Sequence, residues 1–285
     1  MEQAEVDFLT DPFSQEFVVQ AAITAALVGI LCAVVGCFVV LRGLALMADS
    51  LAHGVLPGVA IAFMITANRD GLEPDRLAIT TGALIAGLVT AAGTSAILRR
   101  SRLNADTAAA VAFVFMLSLG VVLISRVEGY AVDLNSFLFG DVLASDGSAV
   151  MTSAVLCIVV LAAVAILYRP LLLLSFDAKR AAALGVPVKR IETLLMVLMT
   201  IAVVAGFLVV GSLLVLGMLL APPAAGALIA RRLPGMMFLS AAIAAVSAPL
   251  GLLASWHLDL AAGASIVLVA VSAFILIALV RGSRI

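Results

Sequence analysis

Residues Phe17–Leu41 read FVVQAAITAALVGILCAVVGCFVVL, a run with no charged side chain. At 1.5 Å rise per residue such a run is long enough as a helix to span the roughly 30 Å hydrocarbon core of a bilayer. Its apolar residues do not alternate with polar ones, as the short strands of a membrane barrel require. In lipid the remaining way to satisfy every backbone N–H and C=O is an α-helix.

The same pattern recurs down the chain. Apolar stretches lie near Phe17–Leu41, Ala48–Ala67, Leu77–Leu98, Thr107–Ser125, Ser148–Tyr168, Ile191–Val210, Gly211–Ala230, Met236–Ala254 and Leu260–Val280. The sequence therefore predicts an all-α, polytopic transmembrane bundle of about nine helices. Eight is the alternative, because Ile191–Ala230 carries no charge beyond Glu192 at its start and is punctuated in its middle by Gly206, Gly211 and Gly217. Composition agrees: 65% of the 285 residues are hydrophobic and 12% charged, where a soluble domain has about 45–50% and 25%. Residues 1–16 are expected to form an extracytoplasmic segment, and residues 17–285 a single transmembrane domain. Glu2, Glu5, Asp7, Asp11 and Glu16 precede the first span without any Lys or Arg, the reverse of a signal peptide's basic start.

Placing the N-terminus outside and alternating nine helices puts Arg42, Arg99, Arg100, Arg102, Arg169, Lys179, Arg180, Lys189, Arg190, Arg231, Arg232, Arg281 and Arg284 on the inner side. Only Arg69, Arg76 and Arg126 then lie outside, so the positive-inside rule favours a cytoplasmic C-terminus. The outer loop Val127–Gly147 holds the apolar phrase Leu134–Asp141, which reads as a short interfacial helix or a docking surface.

Several chemistries are excluded. Cys32, Cys37 and Cys157 sit in apolar runs without Cys-x-x-Cys spacing and read as buried small hydrophobes. Neither lysine, Lys179 or Lys189, follows a glycine, so there is no phosphate-cradling loop. Any use of ATP belongs to a separate subunit. The basic residues are dispersed over separate loops and leave no nucleic-acid footprint.

The stretch that carries chemistry is Ala48-Asp49-Ser50-Leu51-Ala52-His53-Gly54-Val55-Leu56-Pro57-Gly58. Asp49 and His53 are four apart and share one helix face. Ionisable groups inside a span are costly and generally mark a pathway or relay. A carboxylate and a neutral imidazole suit a divalent first-row metal; a proton relay and a structural Asp–His hydrogen bond are the competing readings. Two ligands bind weakly, and a homodimer placing two such helices about its axis doubles the set. Ser50 adds a hydroxyl near the pair. Gly54 and Gly58 offer a small face for close helix contact, while Pro57 takes away the N–H that would bond the His53 carbonyl.

Between the fifth and sixth spans, Ser175 reads as the cap of a short helix, with Asp177 at its positive end. Gly185 ends that helix and Pro187 blocks its continuation. Phe176, Arg180 and Leu184 recur every four residues and suit a groove on a cytoplasmic partner, or else rest on lipid headgroups. Pro222-Pro223 predicts a broken seventh helix. Trp256 suits an interfacial anchor. His257 reads as a rim residue or an entry contact, and Asp259 as a cap for the last helix.

Across Phe17–Val280 the chain resembles the ABC-3 family of membrane permeases, importer subunits for zinc, manganese or iron. Ala48–Val59 is similar to that family's Gly-Asp-Ala-x-Ser-His-Ala-Val-Leu-Pro-Gly-Val run, and Phe38–Gly43 before it also resembles the family. Its metal-contacting residues fall on Asp49 and His53, with Ser50, Pro57 and Gly58 lining the pathway. Its coupling helix, near 175–185, falls on Phe176, Asp177, Leu184 and Gly185. Weaker similarities lie at Leu138–Gly140, Ala221–Ala225 and Asp259–Ala264. Ala48, Ala52 and Gly54 depart from the family's usual Gly, Ser and Ala.

The resemblance implies a homodimeric permease of the bacterial plasma (inner) membrane. It implies no enzymatic step in this chain, two cytoplasmic ATP-binding cassette subunits, and an extracytoplasmic metal-binding protein. The transported ion is divalent. Manganese suits a carboxylate–imidazole site without thiolate, with zinc and ferrous iron near alternatives. A proton-coupled carrier working without an ATPase is the alternative function.

Overall fold

The computed structural model describes residues 14–70, 76–101, 103–126 and 147–282. Most of the N-terminal acidic segment and the Leu134–Asp141 phrase lie outside the described residues. The helices run in the order α1 (Glu16–Arg42), α2 (Ala45–Gly54), α3 (Leu56–Asp70), α4 (Arg76–Arg100), α5 (Ala105–Ile124), α6 (Gly147–Ile166), α7 (Tyr168–Phe176), α8 (Ala178–Ala183), α9 (Val188–Val210), α10 (Ser212–Ile229), α11 (Leu233–Leu258) and α12 (Ala262–Gly282). Nine spans among the described residues are long and apolar enough to cross a membrane, with α2 and α3 together supplying one. The Ile191–Ala230 question is settled at Gly211, whose φ of +84° separates α9 from α10. A β-carbon disfavours that backbone region, so glycine marks the break.

The helices fall into two compact units. The first comprises Met1–Val40, Ser136–Tyr168 and Ala205–Ile285. Here α1 is buried along most of its length, and small residues set the crossings. A β-carbon on Gly36 would lie 2.8 Å from Pro223 Cγ, one on Gly226 2.9 Å from the Met236 carbonyl, and one on Gly251 2.6 Å from Ile266 N. Lipid offers no hydrophobic drive between helices, so such close backbone approaches carry much of the cohesion. The Arg281 guanidinium donates to the carbonyls of Leu228 and Ile229, satisfying the end of α10. Cys32, Cys37 and Cys157 are buried and form no disulfide.

One expectation fails in this unit. α10 runs unbroken through Pro222 and Pro223. Pro223 takes the usual donor from the Leu219 carbonyl, and that carbonyl lies against Gly36, where a side chain would collide with it. The neighbouring glycine makes room for the irregularity and the helix stays whole.

The second unit comprises Leu41–Asn135 and Arg169–Val204. Its central crossing is α2–α3 against α4. A β-carbon at Gly58 would meet the Gly82 carbonyl and lie 2.6 Å from Ala86 Cβ; one at Gly82 would lie 2.9 Å from Ala62 Cβ. On α5, Gly120 admits Leu56, whose Cβ a side chain there would meet at 2.8 Å. Gly54 and Gly58 thus form the small face expected of them, and α4 answers with small residues at the same four-residue spacing.

Gly58→Ala should overpack this crossing and cost about 2 kcal/mol, read as a lowered melting temperature of the purified protein in detergent. Gly93→Ala on α4, where a β-carbon has nothing within 4 Å, should be neutral or slightly stabilising.

Candidate functional site

The segment carrying Asp49 begins at a turn: Gly43 takes a φ of +64°, and the Leu44 carbonyl accepts the N–H of Ala48 to open α2. Val55 keeps helical dihedrals but the ladder changes there. Both Gly58 and Val59 donate to the Val55 carbonyl, at 3.1 Å each. Pro57 has no N–H to give His53, and Gly58 has turned from Gly54 to Val55. Two adjacent carbonyls are therefore deprived of their regular donors.

Each finds another. The His53 carbonyl, expected to be left free, receives the N–H of Val55. The Gly54 carbonyl is approached at 3.3 Å by the hydroxyl of Thr90 on α4, which also donates to Ala86 O at 2.8 Å. Thr90 is 1% exposed, so water does not substitute for it. Sequence reasoning passed over Thr90; the signal was its place in the series Gly82, Ala86, Thr90 along one face of α4.

At the head of this break His53 Nε2 lies 3.5 Å from Asp49 Oδ1, with side chains 20% and 34% exposed respectively. That separation exceeds the 2.7–3.2 Å of a good N–H···O bond. The pair is adjacent without being locked together, and open enough for a cation to reach both. Phe113 of α5 meets the His53 ring edge-on, with centroids 5.1 Å apart and planes at 74°, and so limits its rotation. Phe113 also escaped the sequence reading.

Other anticipated residues fall as follows. Ser50 is fully buried and donates to the Met47 carbonyl at 3.1 Å, so its proton serves its own helix. Among the described residues no group of three or more His, Cys, Asp and Glu gathers as a metal site. Within this chain Asp49 and His53 are a two-ligand set. Asp259 does not cap the last helix: it is the left-handed C-cap of α11, with φ +51°. Trp256 pairs with Phe17 at a 6.4 Å centroid distance.

In the 175–185 segment the cap is Asp177 and not Ser175. Asp177 Oδ1 accepts from Lys179 N at 2.9 Å and Arg180 N at 3.0 Å. Ser175 belongs to the end of α7 and donates to Leu171 O. The aspartate prevails because it sits one residue before the new helix, with carboxylate oxygens aimed at its free N–H groups. Arg180 Nε stands 3.9 Å from Asp177 Oδ2. Gly185 stops α8 at φ +80°, as read. Phe176 and Leu184 are 72% and 70% exposed, leaving two large apolar side chains uncovered on either side of α8.

The profile of the ABC 3 transport family matches residues 14–281, and the chain belongs to that family. It is a multi-pass permease subunit of a metal-ion importer, without catalytic activity of its own. It is 41% identical to the manganese transport system membrane protein MntC of Halalkalibacterium halodurans over 269 residues, covering 94% of this chain and 89% of that one. It is 30% identical to the chelated iron transport system membrane protein YfeD of Yersinia pestis, covering 92% and 84%. Among solved structures, PsaBC from Streptococcus pneumoniae in complex with Fab superposes with a TM-score of 0.83 at 36% identity, over 96% of this chain and 95% of that one.

Thr90→Val should leave the Gly54 carbonyl unpaired and cost about 1 kcal/mol of stability, whereas Thr90→Ser keeps the hydroxyl and should hold the wild-type melting temperature in detergent.

Proposed function

We propose that this subunit imports divalent manganese through a route on which Asp49 and His53 are the metal contacts. The carrying observation is the half-buried, loosely spaced carboxylate–imidazole pair on a membrane helix, directly before a break in that helix. Carboxylate and imidazole without thiolate suit manganese, and also zinc and ferrous iron. The manganese transport of the 41% identical relative supports the first, and the iron transport of YfeD keeps the third close. A route must bind firmly enough to admit the ion and weakly enough to release it. Two ligands per chain fit that demand when two copies share the ion, so the working unit is a homodimer with both pairs facing its axis.

Pro57 and Gly58 shape the pathway end of this helix, with Ser50 buried behind it. The N-terminus lies outside and the C-terminus in the cytoplasm of a bacterial cell, in keeping with the distribution of Arg and Lys. An extracytoplasmic metal-binding protein delivers the ion. Two cytoplasmic ATPase subunits dock on the Phe176–Gly185 segment: Phe176 and Leu184 supply the apolar contacts, Asp177 and Gly185 fix the short helix, and Arg180 stands on its exposed side.

With its partner subunits in proteoliposomes, Asp49→Ala and His53→Ala should each reduce manganese uptake to background while assembly persists. Wild-type flux in both would refute the assignment. Uptake driven by a pH gradient without any ATPase would establish a proton-coupled carrier instead. Separately, Phe176→Asp with Leu184→Asp should abolish co-purification of the ATPase subunits; both side chains are exposed, so folding should be spared.

A further inference from the structure

Arg42 ends α1, and its Nη2 reaches Glu192 Oε1 at 2.9 Å across 150 residues of sequence. Both residues lie in the second unit. Their side chains are 18% and 36% exposed, and an ion pair that water reaches contributes little to stability. Its position is more informative than its energy. Beyond Arg42 only Gly43 and Leu44 intervene before α2, which bears Asp49 and His53. On the other side, Glu192 lies in the first turns of α9, just after the Phe176–Gly185 segment.

The connection from that segment to Glu192 is short and stiff. Gly185 N donates to Ala182 O and Val186 N to Ala181 O, both at 3.0 Å. Val188 N donates to Val186 O at 2.8 Å, and Arg190 N and Ile191 N both reach the Pro187 carbonyl, at 2.9 and 3.1 Å. Pro187 has a fixed φ. Successive backbone hydrogen bonds thus run from α8 into the first turn of α9. On the receiving side, Gly43 at φ +64° is the one turn between Arg42 and α2.

We propose that Arg42 and Glu192 are positioning residues, a strap that carries displacement of α8 to the start of the helix holding Asp49 and His53. The strap rests on the reading of Phe176–Gly185 as the ATPase docking segment. It makes no contact with the ion. Its work is to tie ATP-driven movement to the setting of the metal pair.

The test uses the complete transporter in proteoliposomes, with Arg42→Glu, Glu192→Arg and the double exchange Arg42→Glu/Glu192→Arg. Manganese imported per ATP hydrolysed is the readout, alongside retention of the ATPase subunits. Each single variant should retain the ATPase and hydrolyse ATP, yet import roughly fivefold to tenfold less metal per ATP, the low end of ordinary coupling between sites. The double exchange restores opposite charges in the same place and should recover most of the ratio. A wild-type ratio in the single variants, or a double exchange no better than either, with the ATPase still bound, overturns the strap alone. Undiminished ATPase binding by the Phe176→Asp/Leu184→Asp protein overturns the docking reading and the strap with it.

Discussion

A peptide carbonyl inside hydrocarbon has no water to accept from, so each departure from regular helix must be answered by a neighbouring group. This constraint organises the second unit. Pro57 and the shifted N–H of Gly58 free two carbonyls at the end of α2, and Thr90 reaches across from α4 for one of them. Its hydroxyl can do so because Gly54, Gly58, Gly82 and Ala86 let the two helices approach closely. A larger side chain at these positions would push α4 away and leave the break unanswered. The same logic holds at Gly36, where a glycine receives the Leu219 carbonyl that Pro223 has left.

The break in turn sets the character of the proposed metal pair. Asp49 and His53 occupy the last turns before it, where α5 contributes Phe113 to hold the imidazole edge-on. Their 3.5 Å separation is too long for a strong mutual bond, which leaves both groups with capacity for a cation. An incomplete ligand set is suitable for transport, since a closed site of three or four protein ligands would retain what it is meant to pass on. The proposed sharing between two copies gives enough affinity for capture without a permanent site in either chain.

Most errors of the sequence reading occur where one polar group has several possible partners. Ser175 and Asp177 are both good caps by type; only the observed end of α7 at Phe176 puts the aspartate in place. Asp259 could serve the helix before it or the one after, and its left-handed backbone assigns it to α11. The prolines at 222 and 223 forecast a break that packing against α1 removes. The His53 carbonyl is deprived of its regular donor as anticipated, but Val55 turns back to it.

The sequence by itself determined the solvent, the helical class and a count of eight or nine spans, because twenty-residue apolar runs have few alternatives in lipid; the structure chose nine at Gly211. It also determined which ionisable residues share a helix face, since i and i+4 are neighbours on any helix. Tertiary structure alone decided who answers the broken backbone, what orients the imidazole, and that Arg42 meets Glu192. Those contacts join residues 36, 60 and 150 positions apart. No local periodicity encodes them; they follow from which small residues let which helices touch.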